Sequence, residues 1–166
     1  MIGNAHFDGL VAASPVTQFP AKVDWSGVTA TLSDQGIDPS AVVATAWCGF
    51  QNTNLDFGGE IQMLAIVHQN GIICTLGKKK LGGRLKFESI NFSNVKVHAP
   101  IDVAPQAGDN YGKYGITFLG PGQVVLGSLV WRFKVKRFRD SSADAMAAAS
   151  DRDRLYAQIV PLLGGD

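Results

Sequence analysis

The segment Glu60-Ile-Gln-Met-Leu-Ala-Ile-Val-His-Gln-Asn70-Gly71-Ile-Ile-Cys-Thr-Leu76 decides the fold class of this chain. An apolar run leads up to Asn70-Gly71, and a second apolar run follows it. Asn-Gly between two such runs is the strongest short-range signal for a β-hairpin, because both central residues of a type I′ turn need positive φ. The segment therefore predicts two antiparallel strands joined by a type I′ turn at Asn70-Gly71.

Further strands are predicted on both sides of this hairpin. Residues 42–47, Val-Val-Ala-Thr-Ala-Trp, are rich in β-branched side chains and favour a strand, although a short helix is an alternative. Residues 84–97 look extended, but their apolar side chains change from odd to even positions and back. Because a one-residue shift turns every strand side chain to the other face, we expect a bulge near Glu88-Ser89 and a turn near Ser93-Asn94.

Turn residues organise the next part of the chain. Residues 99–113 contain two prolines and two glycines and are expected to form a long loop. Residues 114–119 and 123–126 are predicted to form a hairpin around Gly120-Pro-Gly122, and residues 129–138 form the most regular predicted strand.

Two helices are predicted outside the strands. Asp24-Trp-Ser26 can cap a short helix over residues 26–35, and Gly36 suits its C-terminal stop. A second helix is expected to begin at Ser141 or Ser142, with Asp144 in its first turn. Its apolar stripe recurs at helical spacing, and Pro161 should kink the helix or end it early; the stripe residues are Leu155, Ile159, Leu162 and Leu163.

The order of these elements predicts a mainly β (α+β) fold, with about seven antiparallel strands forming a barrel capped by the C-terminal amphipathic helix. The chain has 166 residues, of which 46% are hydrophobic and 17% are charged, so it can bury one sizeable core. We expect residues 1–40 to form a leader whose short helix packs on the domain. Residues 41–166 are expected to form the barrel and its helix as a single globular unit.

Three short motifs resemble bacterial pleckstrin-homology-like (PH-like) and GRAM-like domains. Thr75-Leu-Gly-Lys-Lys-Lys-Leu81 is similar to a strand-end pattern of that family, and residues 88–97, Glu-Ser-Ile-Asn-Phe-Ser-Asn-Val-Lys-Val, are similar to its "E-S-I-P-L-S-D-I-x-x-V" stretch. Residues 151–159 resemble its closing helix. Asn91 stands where that family commonly has proline, and the closing helix lacks the tryptophan of eukaryotic PH domains.

The resemblance covers roughly residues 42–163 and implies a PH-like barrel that acts as a non-enzymatic recognition module. Members of that family bind phosphoinositides or other anionic lipids in some cases and proteins or peptides in others. One variant takes a peptide along a sheet edge beside the C-terminal helix, and here that groove is either open or filled by residues 1–36.

The formal net charge of +1 conceals an uneven distribution. Residues 1–77, 78–139 and 140–166 carry formal charges of −5, +9 and −3. Two basic clusters in the middle segment are the candidate anion- or ligand-binding residues. The first comprises Lys78, Lys79, Lys80, Arg84 and Lys86, and the second comprises Arg132, Lys134 and Lys136.

The second basic cluster has a structural alternative to anion binding. In the second cluster, the cations alternate with Trp131, Phe133 and Val135, so a strand would turn the apolar side chains to the core and the cations outward. Exposed lysines on strands also discourage edge-to-edge pairing. If the two clusters lie side by side, the anion-binding interpretation gains support.

Motifs for catalysis, metals or cofactors are absent from the sequence, which contains no GxxxxGK[ST], HExxH or CxxC. His6, His68 and His98 have no metal-ligand spacing, and Cys48 and Cys74 lie in apolar runs that predict buried thiols. His68, at a strand end, is predicted to be structural. We therefore expect no enzymatic activity, no cofactor and no metal.

The sequence thus predicts a binding or scaffold module for a protein partner or an anionic lipid headgroup. No transmembrane segment or signal peptide is predicted, so we expect a cytoplasmic protein, peripheral at the membrane if the partner is a lipid. An OB-like barrel binding single-stranded nucleic acid and a small barrel carrying an apolar ligand are the alternatives. Nucleic acid is disfavoured, because the aromatic and cationic side chains of residues 131–136 should point to opposite faces.

Overall fold

The computed structural model describes residues 23–51, 61–75, 87–104, 111–134 and 142–163. Two α-helices are present within these residues, α1 (Trp25–Asp34) and α2 (Ser142–Ile159). The strands are β1 (Val42–Gln51), β2 (Ile61–His68), β3 (Gly71–Thr75), β4 (Phe87–Asn91), β5 (Val97–Val103), β6 (Tyr111–Leu119) and β7 (Val125–Lys134). They form one antiparallel sheet in the order β4-β3-β2-β1-β7-β6-β5. The predicted mainly β class, with seven antiparallel strands, a C-terminal helix and a short N-terminal helix, is confirmed.

The sheet consists of two halves joined by a short seam. β1 pairs with β2 along most of its length, from Val42 to Phe50. Its pairing with β7 covers only Gly49–Gln51 against Ser128–Val130. Within the described residues no ladder joins β4 to β5, so the sheet is not closed. The halves β1–β4 and β5–β7 therefore separate beyond the seam and leave an opening between β1 and β7.

Helix α2 covers the inner face of the sheet, which we define as the face that contains the larger core cluster. Leu155 and Ile159 are buried in that cluster, and Leu162 and Leu163 pack against it, as the predicted stripe requires. The helix ends at Ile159 and continues as a 3-10 turn over Val160–Leu162, because Pro161 cannot donate a helical hydrogen bond.

Helix α1 covers the outer face of β1–β3. Its Val28 and Leu32 are fully buried against Leu64, Ile66 and Ile73. Because α1 covers the outer face of β2 and β3 and the larger core cluster covers their inner face, both strands are continuous apolar runs without alternation.

The ends of α1 follow the prediction. The Asp24 side chain accepts a hydrogen bond from the Gly27 N–H at 3.0 Å. Gly36 has φ of +73° just after the helix, a conformation that glycine adopts without the steric cost of a Cβ.

The β2–β3 hairpin is confirmed, but the predicted type I′ turn at Asn70-Gly71 is wrong. His68 pairs with Gly71, so the turn residues are Gln69 and Asn70, and none of these residues has positive φ. Gly71 is instead the first residue of β3. A Cβ at this position would overlap the carbonyl oxygen of Ile90, so the close approach of β4 is what requires glycine here.

The bulge expected near Glu88-Ser89 is also wrong. β4 pairs with β3 in continuous register, from Phe87 opposite Thr75 to Asn91 opposite Gly71. The alternation changes because Phe87 lies exposed on the outer face, whereas Ile90 is buried on the inner face. The turn expected near Ser93-Asn94 is confirmed as a 3-10 turn over Phe92–Asn94, where the Asn91 side chain accepts from the Ser93 N–H.

The long loop predicted over residues 99–113 is wrong, because much of it is strand. β5 extends to Val103 and β6 begins at Tyr111. Pro100 is compatible with β5 because this is an edge strand. The separate strands predicted over residues 123–126 and 129–138 are one strand in the structure, β7, as far as Lys134.

Two further findings concern the cysteines and the helices. Cys48 and Cys74 are buried free thiols, as predicted. Neither of the described helices has the length and apolar character needed to span a bilayer.

Candidate functional site

A buried carboxylate on α2 organises the opening between β1 and β7. Asp151 is 2% exposed. Its Oδ2 accepts the indole N–H of Trp131 on β7 at 2.8 Å, and its Oδ1 accepts from Nη2 of Arg154 at 2.8 Å. The same Nη2 donates to the carbonyl oxygen of Thr45 on β1 at 3.0 Å. The network thus connects β7, α2 and β1 where the two strands no longer pair.

Arg152 attaches the next part of α2 to the edge strand β5. Its Nη1 donates to Oδ1 of Asp102 at 2.7 Å, and its guanidinium lies 5.4 Å from the centre of the Tyr114 ring. Burial alone would lower the pKa of Arg152, but hydrogen bonds and charges from Asp102 and Asp153 outweigh it and raise the pKa. The Arg152 guanidinium therefore stays protonated, and its positive charge is compensated by the carboxylates of Asp102 and Asp153.

A second contact joins α2 to β5. The hydroxyl of Tyr156 and Nδ1 of His98 are hydrogen-bonded at 3.1 Å, and the two rings meet edge to face. Together with the ion pair between Arg152 and Asp102, this contact crosses the groove between β5 and α2. This is the groove in which the PH-like resemblance predicted a bound peptide strand. Helix α1 does not lie in that groove, because it packs on the outer face of β1–β3.

The first predicted cluster, Lys78, Lys79, Lys80, Arg84 and Lys86, lies outside the described residues. It belongs to the connection between Thr75, where β3 ends, and Phe87, where β4 begins. In this sheet β3 and β7 run antiparallel to each other, so the chain leaves Thr75 and Lys134 towards opposite ends of the sheet. Whether the two clusters lie side by side, the condition that would support anion binding, is not decided by the described residues.

The second predicted cluster is described only in part. Trp131 and Phe133 are buried on the inner face and Arg132 is exposed on the outer face, as the alternation predicted. Lys134 is the last residue of β7 and pairs with Tyr111, but its side chain lies outside the description. Lys136 also lies outside the described residues.

Arg132 belongs to a group of side chains that we call the cationic corner: Tyr111, Lys113 and Arg132. The guanidinium of Arg132 lies 5.9 Å from the centre of the exposed Tyr111 ring. Lys113 is directly opposite Arg132 in the β6–β7 register. Tyr111 and Lys113 were missed because they fell in a predicted loop, although the alternation of Tyr114, Ile116 and Phe118 could have extended β6 back to them.

The described residues offer little that suggests catalysis. They contain no group of three or more His, Cys, Asp or Glu side chains that could hold a metal ion. Nδ1 of His68 accepts a hydrogen bond from the Asn70 N–H at 3.2 Å, which stabilises the turn after β2. Burial lowers the pKa of His68, so this acceptor is neutral at neutral pH.

No family model matches this sequence, and no curated protein matches it significantly. The function is therefore inferred from the chemistry of the surface.

Proposed function

We propose that this chain is a non-enzymatic binding module of PH-like type, which docks a protein partner or an anionic lipid or phosphate surface through the cationic corner. The strand order, with β7 beside β1 and a C-terminal helix on the inner face, supports the PH-like interpretation. The absence of a long apolar helix among the described residues is compatible with a cytoplasmic module, peripheral at the membrane if it binds lipid.

The observation that carries the proposal is the juxtaposition of Lys113 and Arg132. These two cationic residues are directly opposite each other in the antiparallel β6–β7 pair, so their side chains are neighbours on one face of the sheet. The Tyr111 ring lies against Arg132, and such cation–π contacts contribute about 0.5–1 kcal/mol at exposed sites. An anionic group bound at the corner would meet two cationic side chains and the Tyr111 ring on one sheet face, which supports a carboxylate or a phosphate as the ligand.

The two alternative functions have weaker support. Single-stranded nucleic acid is bound by stacking successive bases on several exposed rings beside cations, whereas Trp131 and Phe133 are buried and Tyr111 is the one exposed ring of the corner. A carrier of apolar ligands needs interior space, whereas α2 inserts Leu155 and Ile159 into the core. The predicted residues Lys78, Lys79, Lys80, Arg84, Lys86, Lys134 and Lys136 would add positive charge to the module, and their part in binding remains a prediction.

Charge reversal of the corner tests the proposal. The variant Lys113→Glu/Arg132→Glu should bind vesicles of phosphatidylcholine and phosphatidylserine, or an acidic peptide, at least about tenfold more weakly than the wild type. Binding should also weaken as salt is raised, because surface charges are screened. Lys96→Glu is the control matched in charge to the single variant Lys113→Glu, which should also weaken binding; Lys96 is exposed on the connection before β5.

Circular dichroism should first establish that both variants are folded. Binding of neither probe by the wild-type protein would overturn the proposal. Equal binding by the corner variant and the wild type would overturn it as well.

A further inference from the structure

The turn between β2 and β3 contains the one Asn-Gly dipeptide of the sequence, Asn70-Gly71. Asparagine is a chemically labile residue. A following glycine increases this lability, because a backbone nitrogen next to a residue without a side chain can approach the asparagine amide closely. Asn70 is exposed to solvent. The dipeptide therefore has the composition and the exposure of a deamidation site.

The reaction needs only the chain and solvent water. The backbone nitrogen of Gly71 attacks Cγ of Asn70, and the new N–Cγ bond closes a succinimide ring. The Cγ–Nδ2 bond breaks, and the amide group leaves as ammonia with the proton from the Gly71 N–H. Water then opens the ring at one of its two carbonyl groups, which gives aspartate or isoaspartate. No atom is oxidised or reduced.

The native hairpin holds back the attacking nitrogen. Gly71 pairs with His68 across a two-residue turn, and the pair that closes such a turn exchanges backbone hydrogen bonds, so the Gly71 N–H donates within the sheet. On its other side Gly71 pairs with Asn91 of β4. Because even a Cβ at Gly71 would overlap the Ile90 carbonyl oxygen, the glycine has little room to turn towards the Asn70 side chain.

The backbone of Asn70 is held at both of its polar groups. Its N–H donates to Nδ1 of His68 at 3.2 Å. Its carbonyl oxygen accepts from the Phe92 N–H at 3.0 Å, which ties the turn to the 3-10 turn after β4. Ring closure has to rotate the backbone between Asn70 and Gly71. These two hydrogen bonds and the pairing of Gly71 therefore oppose the reaction together.

We propose that Asn70 is a deamidation site that the native hairpin protects and that reacts when the β2–β3 turn opens. The modification is irreversible, so it records each opening. Isoaspartate lengthens the main chain by one atom at this position, and its carbonyl oxygen can no longer meet both partners of the native turn. Aspartate adds a negative charge beside the His68 ring. The site is independent of the proposed binding function.

Peptide mapping by mass spectrometry tests the protection. The full-length protein and a synthetic peptide of residues 66–75 are incubated in the same mildly alkaline buffer, and the amide-to-acid conversion at Asn70 is followed over time. The native protein should react at least about tenfold more slowly than the peptide, because only the open fraction of the turn is reactive. In guanidinium chloride the protein should react as fast as the peptide. Asn94, which is exposed and precedes valine, is the internal control.

A matched pair of variants tests whether the turn provides the protection. His68→Leu removes the acceptor of the Asn70 N–H, so deamidation in the folded protein should be about fivefold faster than in the wild type. His98→Leu also removes one hydrogen bond of a histidine Nδ1, but that bond joins β5 to α2. Its deamidation rate at Asn70 should equal that of the wild type. Circular dichroism establishes beforehand that each variant is folded.

The modified protein tests the effect on the structure. After separation by ion exchange, the isoaspartate form should exchange the Phe92 amide hydrogen faster than the unmodified protein, because its acceptor has moved. Native protein that reacts as fast as the peptide would overturn the inference, and so would an unfolded chain that remains unmodified at Asn70. Equal rates in His68→Leu and the wild type, or unchanged exchange at Phe92, would also contradict it.

Discussion

Trp131 on β7 donates its indole N–H to the buried carboxylate of Asp151 on α2 at 2.8 Å. Through Arg154, the same carboxylate is linked to the carbonyl oxygen of Thr45 on β1. These contacts cross the region where β1 and β7 have ceased to pair. The polar network on α2 therefore holds the two halves of the sheet together where the backbone ladder does not.

Removal of the carboxylate should be strongly destabilising. Asp151→Ala leaves the Trp131 N–H and the Arg154 guanidinium without this buried acceptor, and breaking one side of a buried pair costs about 3 kcal/mol. Urea denaturation measures the free energy of unfolding. Asp153→Ala is the control, because its carboxylate is 69% exposed and should change that free energy by less than about 1 kcal/mol. Equal losses in the two variants would contradict the role of Asp151.

A buried hydroxyl offers a stabilising substitution. Thr45 is fully buried, and its Oγ1 has no hydrogen-bond partner among the described residues. Thr45→Val keeps the shape and removes the desolvated hydroxyl, so the free energy of unfolding should rise by about 1 kcal/mol. Thr31→Val is the control, since the Thr31 hydroxyl donates to the Gly27 carbonyl at 2.9 Å. A loss of stability in Thr45→Val would indicate that the hydroxyl is satisfied.

The glycine at the start of β3 should not tolerate a side chain. In Gly71→Ala the new Cβ would overlap the Ile90 carbonyl oxygen, and overpacking against backbone should destabilise the protein by about 3 kcal/mol. Gly122→Ala has open space and a φ of +73°, so its cost should be about 1 kcal/mol, from backbone strain alone. Thermal and urea unfolding of both variants would test whether Gly71→Ala lowers the free energy of unfolding more than Gly122→Ala does. A Gly71→Ala protein as stable as the wild type would refute this prediction.

Stability should depend on pH through His68. Burial lowers the pKa of His68 below its ordinary value of 6.5. The unfolded chain therefore binds the proton first as the pH falls, so the free energy of unfolding decreases below about pH 6.5 until the lower folded pKa is reached. Protonation would also remove the acceptor for the Asn70 N–H. His68→Asn should reduce this slope between pH 7 and 5. An unchanged slope would assign it to other groups.

The two thiols should be unreactive in the folded protein. Burial raises the pKa of the Cys74 thiol, and the charge of Glu88 raises it further. Cys48 is buried as well. Ellman's reagent should therefore modify neither cysteine under native conditions and both of them in guanidinium chloride. Rapid reaction of one thiol in the native protein would show that β1 or β3 opens locally.

The sequence predicted the elements whose signals are local. The Asp24 cap, the stop at Gly36 and the apolar stripe of α2 depend only on neighbouring residues, and all are present. The predictions were wrong where tertiary contacts decide the local backbone conformation. Asn70-Gly71 fits a type I′ turn in isolation, but the proximity of Ile90 requires glycine at the first position of β3 instead.

The surface was harder to predict than the fold. Alternation correctly placed Arg132 outward and Trp131 inward, because it is a property of a single strand. The opposition of Lys113 and Arg132 depends on the register between β6 and β7. No local pattern encodes that register, and the proline at position 100 made the neighbouring segment look like a loop.

The short seam between β1 and β7 has a consequence for the order of folding. Each half of the sheet can form from contacts between neighbours in the chain, whereas the Arg154–Thr45 bond joins residues 109 positions apart. Closing this loop has an entropic cost that is recovered only when its contacts form. We therefore expect docking of α2 to come after the rate-limiting step, so that substitutions in its network accelerate unfolding and leave the refolding rate nearly unchanged.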